Sequence, residues 1–207
     1  MKEEWLDMKL SMKEQSIKDN LIQVSQSLFQ QYGFVKTTME DIAKTARKSK
    51  STLYQFFKNK EEVLHGVITK EIYELHYVVV RESSKGETSA EKLRLYMKTI
   101  LEETKKKLFI YALIKGELDV IPFNTAMVKK KLDTLDMEEV TGILRNGIIL
   151  KEFSSFYFEY ITSIAYYLVN ATRGLMLQLV FDDHMLNVDN DNNFDVIIDI
   201  FLKGLRS

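Results

Sequence analysis

Residues 38–57 read TMEDIAKTARKSKSTLYQFF, and this stretch decides the fold of the N-terminal part of the chain. Thr38 and Ser49 are good N-cap residues, because a hydroxyl oxygen accepts a hydrogen bond from a free amide of the first helical turn. The two caps predict two short helices, over residues 39–45 and 50–56. Two short helices joined by a turn of three or four residues predict a helix-turn-helix.

The second helix of such a motif lies in the major groove of DNA, where its first turns meet the edges of the bases. In residues 50–56 the spacing predicts that Leu53 faces the protein interior. The residues predicted to face outward are Lys50, Ser51, Tyr54 and Gln55. Lysine suits the acceptors of guanine and glutamine suits adenine, so this face is a plausible reader of bases.

The residues around the motif predict its supporting helices. Apolar residues recur at helical spacing from Ile17 to Leu28, which predicts a helix over residues 13–32 that ends at Gly33. The sequence from Thr38 to Asp41 resembles a capping box, with Asp in the place of Glu. A further cap at Asn59 predicts a long helix over residues 60–83. The helix N-termini near Thr38 and Lys60 offer free amides to phosphate groups.

The rest of the chain has the periodicity of helices and no strand-like alternation. One proline, Pro122, and eight glycines among 207 residues favour an all-α protein of about nine helices. Asn146 and Gly147 are predicted to end a helix, and the polar run 189–193 is predicted to be a turn. The predicted helices are residues 89–118, 124–145, 157–181 and 193–205.

The composition limits the classes of function. Hydrophobic residues make up 45% of the chain and no apolar run is long enough to span a membrane. Cysteine is absent, and the N-terminus does not resemble a signal peptide, so we expect a reducing cytoplasm. The sequence has no glycine-rich phosphate loop, no cysteine nucleophile and no clustered metal ligands. We therefore expect no catalytic site, no metal site and no cofactor.

The charge is divided unevenly along the chain. Residues 1–60 hold 11 Lys and Arg against 7 Asp and Glu, whereas residues 61–207 hold 18 against 23. Residues 36–60 alone hold seven basic residues and two acidic ones. A basic region on an otherwise acidic protein predicts a polyanionic partner at the N-terminal end.

Residues 13–64 resemble the DNA-binding domain of the tetracycline-repressor (TetR) family. The resemblance covers about a quarter of the chain and is carried by a long ordered pattern. The matching residues are Leu28-Phe29, Tyr32-Gly33-Phe34, Thr37-Thr38, Asp41-Ile42-Ala43, Ser49 to Glu62 and Leu64. The resemblance implies a DNA-binding domain at residues 13–60 and a helical ligand-binding and dimerisation domain at residues 61–207. Residues 1–12 form an extension, either a mobile arm or a continuation of the first helix.

The resemblance also implies which residues meet DNA. Phosphate contacts are expected from Thr37, Thr38, Tyr54 and Lys60, and Phe56 stands at another backbone-contacting position. The expected base-reading residues are Lys48, Ser49, Lys50, Ser51, Tyr54 and Gln55, and the full expected interface also includes Thr52 and Lys58. The chain departs from the family at Arg47, which replaces the usual turn glycine, and at Lys48, which replaces a small apolar residue. If residue 47 is left-handed, arginine costs roughly 1–2 kcal/mol there.

For the larger domain the resemblance implies a ligand cavity and a dimer made by the last two helices. Aromatic and methionine side chains are candidates for the cavity, with ordinary core packing as the alternative. These candidates are Tyr77, Tyr96, Met97, Phe109, Tyr111, Phe123, Met127 and Tyr167. A glycine inside an apolar helix is typical of close helix approach, either at a dimer interface or where two helices cross in the core. The dimer candidates are Ala171, Gly174, Leu175, Phe194, Ile197 and Phe201.

Two functions remain open from the sequence. The first is a homodimeric transcriptional repressor that binds a palindromic double-stranded DNA operator and is released by an unidentified small molecule. The alternative is a DNA-binding architectural protein that responds to no ligand. An enzyme is not expected.

Overall fold

The computed structural model describes residues 2–106, 125–181 and 190–206, with side chains for residues 11–103, 133–174 and 195–206. These residues form eight α-helices and one 3₁₀ helix, and none of them forms a strand. The α-helices are α1 (Lys2–Tyr32), α2 (Met39–Thr45), α3 (Lys50–Phe56), α4 (Lys60–Ser83), α5 (Ser89–Lys106), α6 (Thr125–Ile149), α7 (Ile161–Phe181) and α8 (Asn190–Arg206). The 3₁₀ helix, Ser155–Tyr160, precedes α7. The predicted all-α class is confirmed.

The described residues divide into two compact units, and the division falls within α4. Unit 1 runs to Glu71 and unit 2 begins at Ile72. The predicted domain boundary at residue 60 therefore lies at the start of a helix that continues through both units. The assignment of DNA binding to one domain and ligand binding to the other stays a prediction.

In unit 1, α1 supports the two short helices. Its residues Leu21 and Phe29 are buried, as are Ile42 of α2 and Leu53 of α3. Gly33 has a φ of 83°, so α1 ends in the left-handed conformation that the sequence predicts. Of the two alternatives for residues 1–12, a mobile arm or a continuation of the first helix, the structure shows the continuation, since Lys2 onward belongs to α1.

Unit 2 is a helical assembly around one apolar core. Side chains from α5, α6, α7 and α8 share this core, among them Leu93, Val140, Ala165 and Ile198. Ion pairs from Arg94 to Asp199 and to Asp195 also join α5 to α8.

The carboxylate of Glu152, in the turn that follows α6, accepts hydrogen bonds from the first turn of α5. The backbone amides of Ser89 and Ala90 donate to Glu152 Oε2 at 2.7 and 3.3 Å, and the Ser89 hydroxyl bonds to Glu152 Oε1. Negative charge at a helix N-terminus is favourable, because the free amides there carry partial positive charge. Lys151, the residue before Glu152, has a φ of 60°. The turn that ends α6 therefore directs Glu152 to α5.

Several predicted helix bounds differ from the structure. The prediction that Asn146 and Gly147 end a helix was wrong, since α6 continues to Ile149. A Cβ at residue 147 would overlap the Phe153 ring, so this glycine permits close packing instead of ending the helix. The predicted turn at 189–193 was also wrong for residues 190–193, which belong to α8. The predicted helix 157–181 begins as a 3₁₀ helix, and residues 107–118 and Pro122 lie outside the described residues.

Candidate nucleic-acid interface

The helix α3 is fixed at its start by Ser49 and at its centre by Leu53. The Thr52 amide donates to Ser49 Oγ at 3.0 Å, which satisfies one of the free amides of the first turn. Leu53 is fully buried. The residues predicted to face outward, Lys50, Ser51, Tyr54 and Gln55, are all exposed. Unit 1 thus presents one polar helix face whose orientation depends on a buried leucine.

The turn between α2 and α3 contains the residue that departs from the family pattern. Arg47 has a φ of 54°, so this position is left-handed although it carries a side chain. The Lys48 amide donates to the Ala43 carbonyl at 2.9 Å and the Arg47 amide to the Lys44 carbonyl at 3.1 Å. These two bonds form a Schellman motif, which normally places glycine at the left-handed residue. The helix-turn-helix keeps its geometry, and Arg47 bears the conformational cost.

The start of α2 carries the predicted capping box. The Asp41 amide donates to Thr38 Oγ1 at 3.2 Å, and the Thr38 amide donates to Asp41 Oδ2 at 3.0 Å. The Thr38 hydroxyl also donates to Asp41 Oδ2 at 2.6 Å. These hydrogen bonds, the one from the hydroxyl first, hold the pKa of the Asp41 carboxyl below its ordinary value. The Thr38 side chain, an expected phosphate contact, is therefore already engaged within the protein.

Lys60 has a role that the sequence did not predict. Its ammonium donates to the carbonyls of Phe34 at 2.7 Å, Val35 at 3.2 Å and Thr37 at 2.8 Å. It also lies 4.4 Å from the centroid of the Phe34 ring. An ammonium has three N–H donors, and all three are used by this segment. The expectation that Lys60 contacts phosphate is not supported by this geometry.

Thr37 is placed inward as well. It is 2% exposed, and its hydroxyl donates to the Gly33 carbonyl at 2.8 Å. The expected phosphate contact from the Thr37 side chain is therefore not supported either. The cause is the turn after α1, which points this hydroxyl back at the carbonyls that end the helix.

The remaining expected DNA contacts lie on or beside the exposed face of α3. Lys48, Ser49 and Lys58 are exposed, whereas Thr52 and Phe56 are partly buried. Lys50 forms an ion pair with Glu40 of α2 at 2.7 Å. This pair ties the first residue of the polar helix face to α2 and offsets part of its positive charge.

The structure adds cations that were not among the expected contacts. Of the seven basic residues in 36–60, all except Lys60 are exposed. Lys36 and Lys44 line an open groove of about 550 Å³ between the end of α1 and α2. Arg47 is exposed in the turn beside them. The excess of basic residues in this part of the sequence was the signal from which they could have been found.

The expected ligand-binding residues are not brought together. Tyr96 and Met97 are buried in the core of unit 2, but Tyr77 is 67% exposed and Tyr167 is 71% exposed. Two such exposed tyrosines do not line an enclosed cavity within this chain, because they lie on the outward faces of their helices. Phe109, Tyr111, Phe123 and the side chain of Met127 lie outside the described residues.

The expected dimer residues lie mostly at the surface of unit 2. Ala171, Gly174 and Ile197 are exposed, and a Cβ at residue 174 would meet no neighbouring atom. Phe201 packs against the core. The side chains of Leu175 and Phe194 lie outside the described residues. The same two helices carry further exposed apolar side chains, namely Tyr166 and Tyr167 of α7 and Val196 and Ile200 of α8.

The chain is similar to known regulators over its N-terminal part. The sequence model of the family described as bacterial regulatory proteins, tetR family, matches residues 21–67. The uncharacterized HTH-type transcriptional regulator YhgD of Bacillus subtilis is 38% identical over 55 residues, which are 27% of this chain and 29% of that protein. The HTH-type transcriptional regulator QacR of Staphylococcus aureus is 32% identical over 81 residues, 39% of this chain and 43% of QacR. The matched region thus spans less than half of either relative.

The likeness in structure extends over most of the chain. A transcriptional regulator from Cytophaga hutchinsonii superposes with a TM-score of 0.71 at 26% sequence identity. The superposition covers 90% of this chain and 97% of that regulator. The helical architecture beyond the helix-turn-helix is therefore one that a known regulator shares.

Proposed function

We propose that this chain is a transcriptional repressor of the TetR family that acts at a specific DNA operator. Its residues 21–67 match the sequence model of that family, and its described residues form helices and no strand. The observation that carries the proposal is the exposed face of α3, with Lys50, Ser51, Tyr54 and Gln55 held outward by buried Leu53. An α-helix fits the major groove, and these side chains match the donors and acceptors that bases present there.

Phosphate contacts would come from the exposed cations around α3. Lys36, Lys44, Arg47, Lys48 and Lys58 are exposed in unit 1. Contacts to phosphates fix the register of a protein on DNA and supply most of the sequence-independent affinity. Lys60 and the Thr37 side chain belong instead to the scaffold that holds the start of α2.

We further propose that the chain acts as a homodimer on a palindromic site. The exposed apolar residues of α7 and α8 support a self-complementary interface, since several exposed apolar side chains on the same helices would lose their contact with water in a dimer. Ala171 and Gly174 would let two copies of α7 approach closely. Two reading helices related by a two-fold axis would then meet two half-sites about one helical turn apart.

The proposed regulation is release of the operator by a small molecule bound in unit 2. A ligand shifts DNA affinity only if it binds the two conformations of the protein with different affinity. The helix α4 is a means of coupling, because it carries residues of both units.

This chemistry is coupled binding, not catalysis, and we place it in the cytoplasm, where the DNA of a bacterium is accessible. Among the described residues no helix combines the length and the apolar character needed to cross a membrane.

The experiment that tests this function is selection of the full-length protein against a random double-stranded DNA library at physiological salt. Enrichment of one inverted repeat is the expected result. Binding that is salt-sensitive but indifferent to sequence would favour the architectural alternative. An absence of binding from the ligand-free protein would contradict the proposed function.

A further inference from the structure

A cluster of polar and charged side chains interrupts the apolar core of unit 2. We define the Asp136 cluster as His76 of α4, Tyr96 of α5, Asp133 and Asp136 of α6, and Arg173 of α7. Asp136 is 7% exposed, and Arg173 Nη2 donates to its Oδ2 at 2.6 Å. Arg173 also forms an ion pair with Asp133. The cluster is therefore built from four helices around one buried carboxylate.

The hydroxyl of Tyr96 and Nδ1 of His76 are among the buried polar atoms of this cluster that make no hydrogen bond. Tyr96 is fully buried, and its hydroxyl makes no hydrogen bond of ordinary geometry, although it lies close enough to Asp136 for that carboxylate to raise its pKa. His76 Nδ1 is 3.6 Å from Asp136 Oδ1, too far for a hydrogen bond, and it has no other partner. Most buried polar atoms in proteins are paired, because an unpaired one loses its bonds to water. Two such atoms beside one carboxylate indicate that a further group belongs there.

The charges of the cluster indicate that the missing group carries a positive charge. Asp133 and Asp136 both pair with the guanidinium of Arg173, so two carboxylates share one cation. Asp136 Oδ1 lies 3.6 Å from His76 Nδ1. Burial raises the pKa of Tyr96 well above its ordinary value, and the charge of Asp136 raises it further, so this hydroxyl stays neutral. The charge of Glu139 also raises the pKa of Tyr96. Burial raises the pKa of Glu139 itself, and the nearby His76 and Lys92 partly oppose that rise. The site is thus rich in acceptors and negative charge.

We propose that the Asp136 cluster binds the protonated amine of a small organic ligand. The ammonium donates to Asp136 Oδ1, to His76 Nδ1 and to the Tyr96 oxygen, and the apolar body of the ligand packs against core side chains such as Met97. A buried carboxylate favours such a partner, since charge-assisted hydrogen bonds are the strong ones. This inference rests on the proposed ligand response, and it names the chemical class of the ligand.

The test uses three probes that share one ring and differ in charge. Benzylammonium, benzyl alcohol and benzoate are titrated into the full-length protein at neutral pH without DNA, and the thermal unfolding midpoint is recorded. A molecule that binds only the folded state raises this midpoint. We expect benzylammonium to raise it with increasing concentration, benzyl alcohol to raise it less and benzoate to leave it unchanged. An equal response to all three probes, or no response to benzylammonium, would overturn the proposal.

Two matched tyrosine variants locate the binding. Tyr96→Phe removes a hydroxyl that makes no hydrogen bond of ordinary geometry, so the folded protein keeps its stability while the affinity for benzylammonium falls several-fold. Tyr157→Phe is the control, because the Tyr157 hydroxyl donates to the Gly204 carbonyl at 2.9 Å. This control loses stability and keeps its affinity. If Tyr96→Phe retains full affinity, an ordered water and not a ligand amine completes the cluster.

The outcome is independent of the operator experiment. Selection of an inverted repeat together with no binding of benzylammonium would refute the amine site and leave the proposed function intact. Binding that depends on Tyr96, together with no preferred DNA sequence, would leave the site intact and refute the regulatory function.

Discussion

Arg47 occupies a backbone conformation that most residues avoid. A left-handed residue with a Cβ costs roughly 1–2 kcal/mol relative to the right-handed conformation. The resemblance to TetR proteins identified residue 47 as the turn position in advance, because that family uses glycine there. The structure confirms the left-handed φ, and the Schellman hydrogen bonds explain why the turn persists.

We expect Arg47→Gly to raise the free energy of unfolding by about 1 kcal/mol, because glycine adopts φ > 0 readily but also has a more mobile unfolded chain. Urea denaturation measures this change. Lys48→Gly is the control, since Lys48 has no positive φ, and it should lower the stability. Lys151→Gly tests the same effect at the end of α6. Equal effects of the substitutions at 47 and 48 would contradict the explanation.

The sequence could not show that Lys60 bonds inward. Its position in the family pattern suggested a phosphate contact, whereas its actual acceptors are three carbonyls in the segment 34–37. These carbonyls become available only because α1 ends at Gly33 and the chain turns back toward the start of α4. A contact across such a turn has no signal in residue spacing.

Lys60→Met and Lys58→Met should therefore separate stability from DNA contact. Removing the Lys60 ammonium takes the donor from the part-buried carbonyls of Phe34 and Thr37, which should cost about 1 kcal/mol of folding free energy. It should leave the slope of log affinity against log salt unchanged. Lys58 is exposed, so Lys58→Met should keep the stability and make the slope shallower by about 0.9. A shallower slope for Lys60→Met would restore the phosphate contact and contradict the inward role.

At the scale of helices, the starts were predictable and several ends were not. The starts of α2, α3 and α4 are each capped by a side chain that accepts a hydrogen bond from the amide three residues later. These caps are Thr38, Ser49 and Asn59. A cap can be predicted from sequence because both of its partners are close together in the chain. The end of α6 depends instead on Phe153 packing over Gly147. Such a tertiary contact cannot be predicted from the sequence of the helix alone. Gly147 was therefore predicted to end the helix, although it lies within it.

The capping box of α2 makes a pH-dependent contribution to stability. Its hydrogen bonds lower the pKa of folded Asp41, whereas the unfolded carboxyl has a value of about 3.9. The contribution is therefore present above the unfolded pKa and is lost as the pH falls through the folded pKa. We expect Thr38→Ala to raise the pKa of Asp41 toward its ordinary value in an NMR titration. Thr45→Ala, at the other end of α2, should leave it unchanged, and an equal rise would assign the shift to another group.

At the scale of the whole molecule, exposed apolar surface on α7 and α8 is the feature that a single chain leaves unexplained. The helical periodicity predicted both helices, and the exposed positions of Ala171, Gly174 and Ile197 are compatible with the interface that the resemblance implies. The ligand-binding set was less predictable from sequence. Aromatic residues fill cores and surfaces alike, so their identity alone does not locate a cavity.

Ile200→Lys should shift the chain from dimer to monomer, because it buries a charge in an apolar interface. Ile200 is 67% exposed in the single chain, so the fold should survive the substitution. Sedimentation equilibrium measures the change, and the affinity for a palindromic site should fall with it. Met12→Lys alters an equally exposed apolar residue on α1 and should leave the dimer intact. A monomeric wild type, or a dimeric Ile200→Lys, would exclude α8 from the interface.

The carboxylate of Glu152 has a consequence for how unit 2 opens. It joins the first turn of α5 to the turn that follows α6, across 63 residues of chain. Fraying at one of these helix ends removes hydrogen bonds at the other. In hydrogen exchange the amides of Ser89, Ala90 and Glu152 should thus lose protection together, as one cooperative segment made of two distant parts of the sequence.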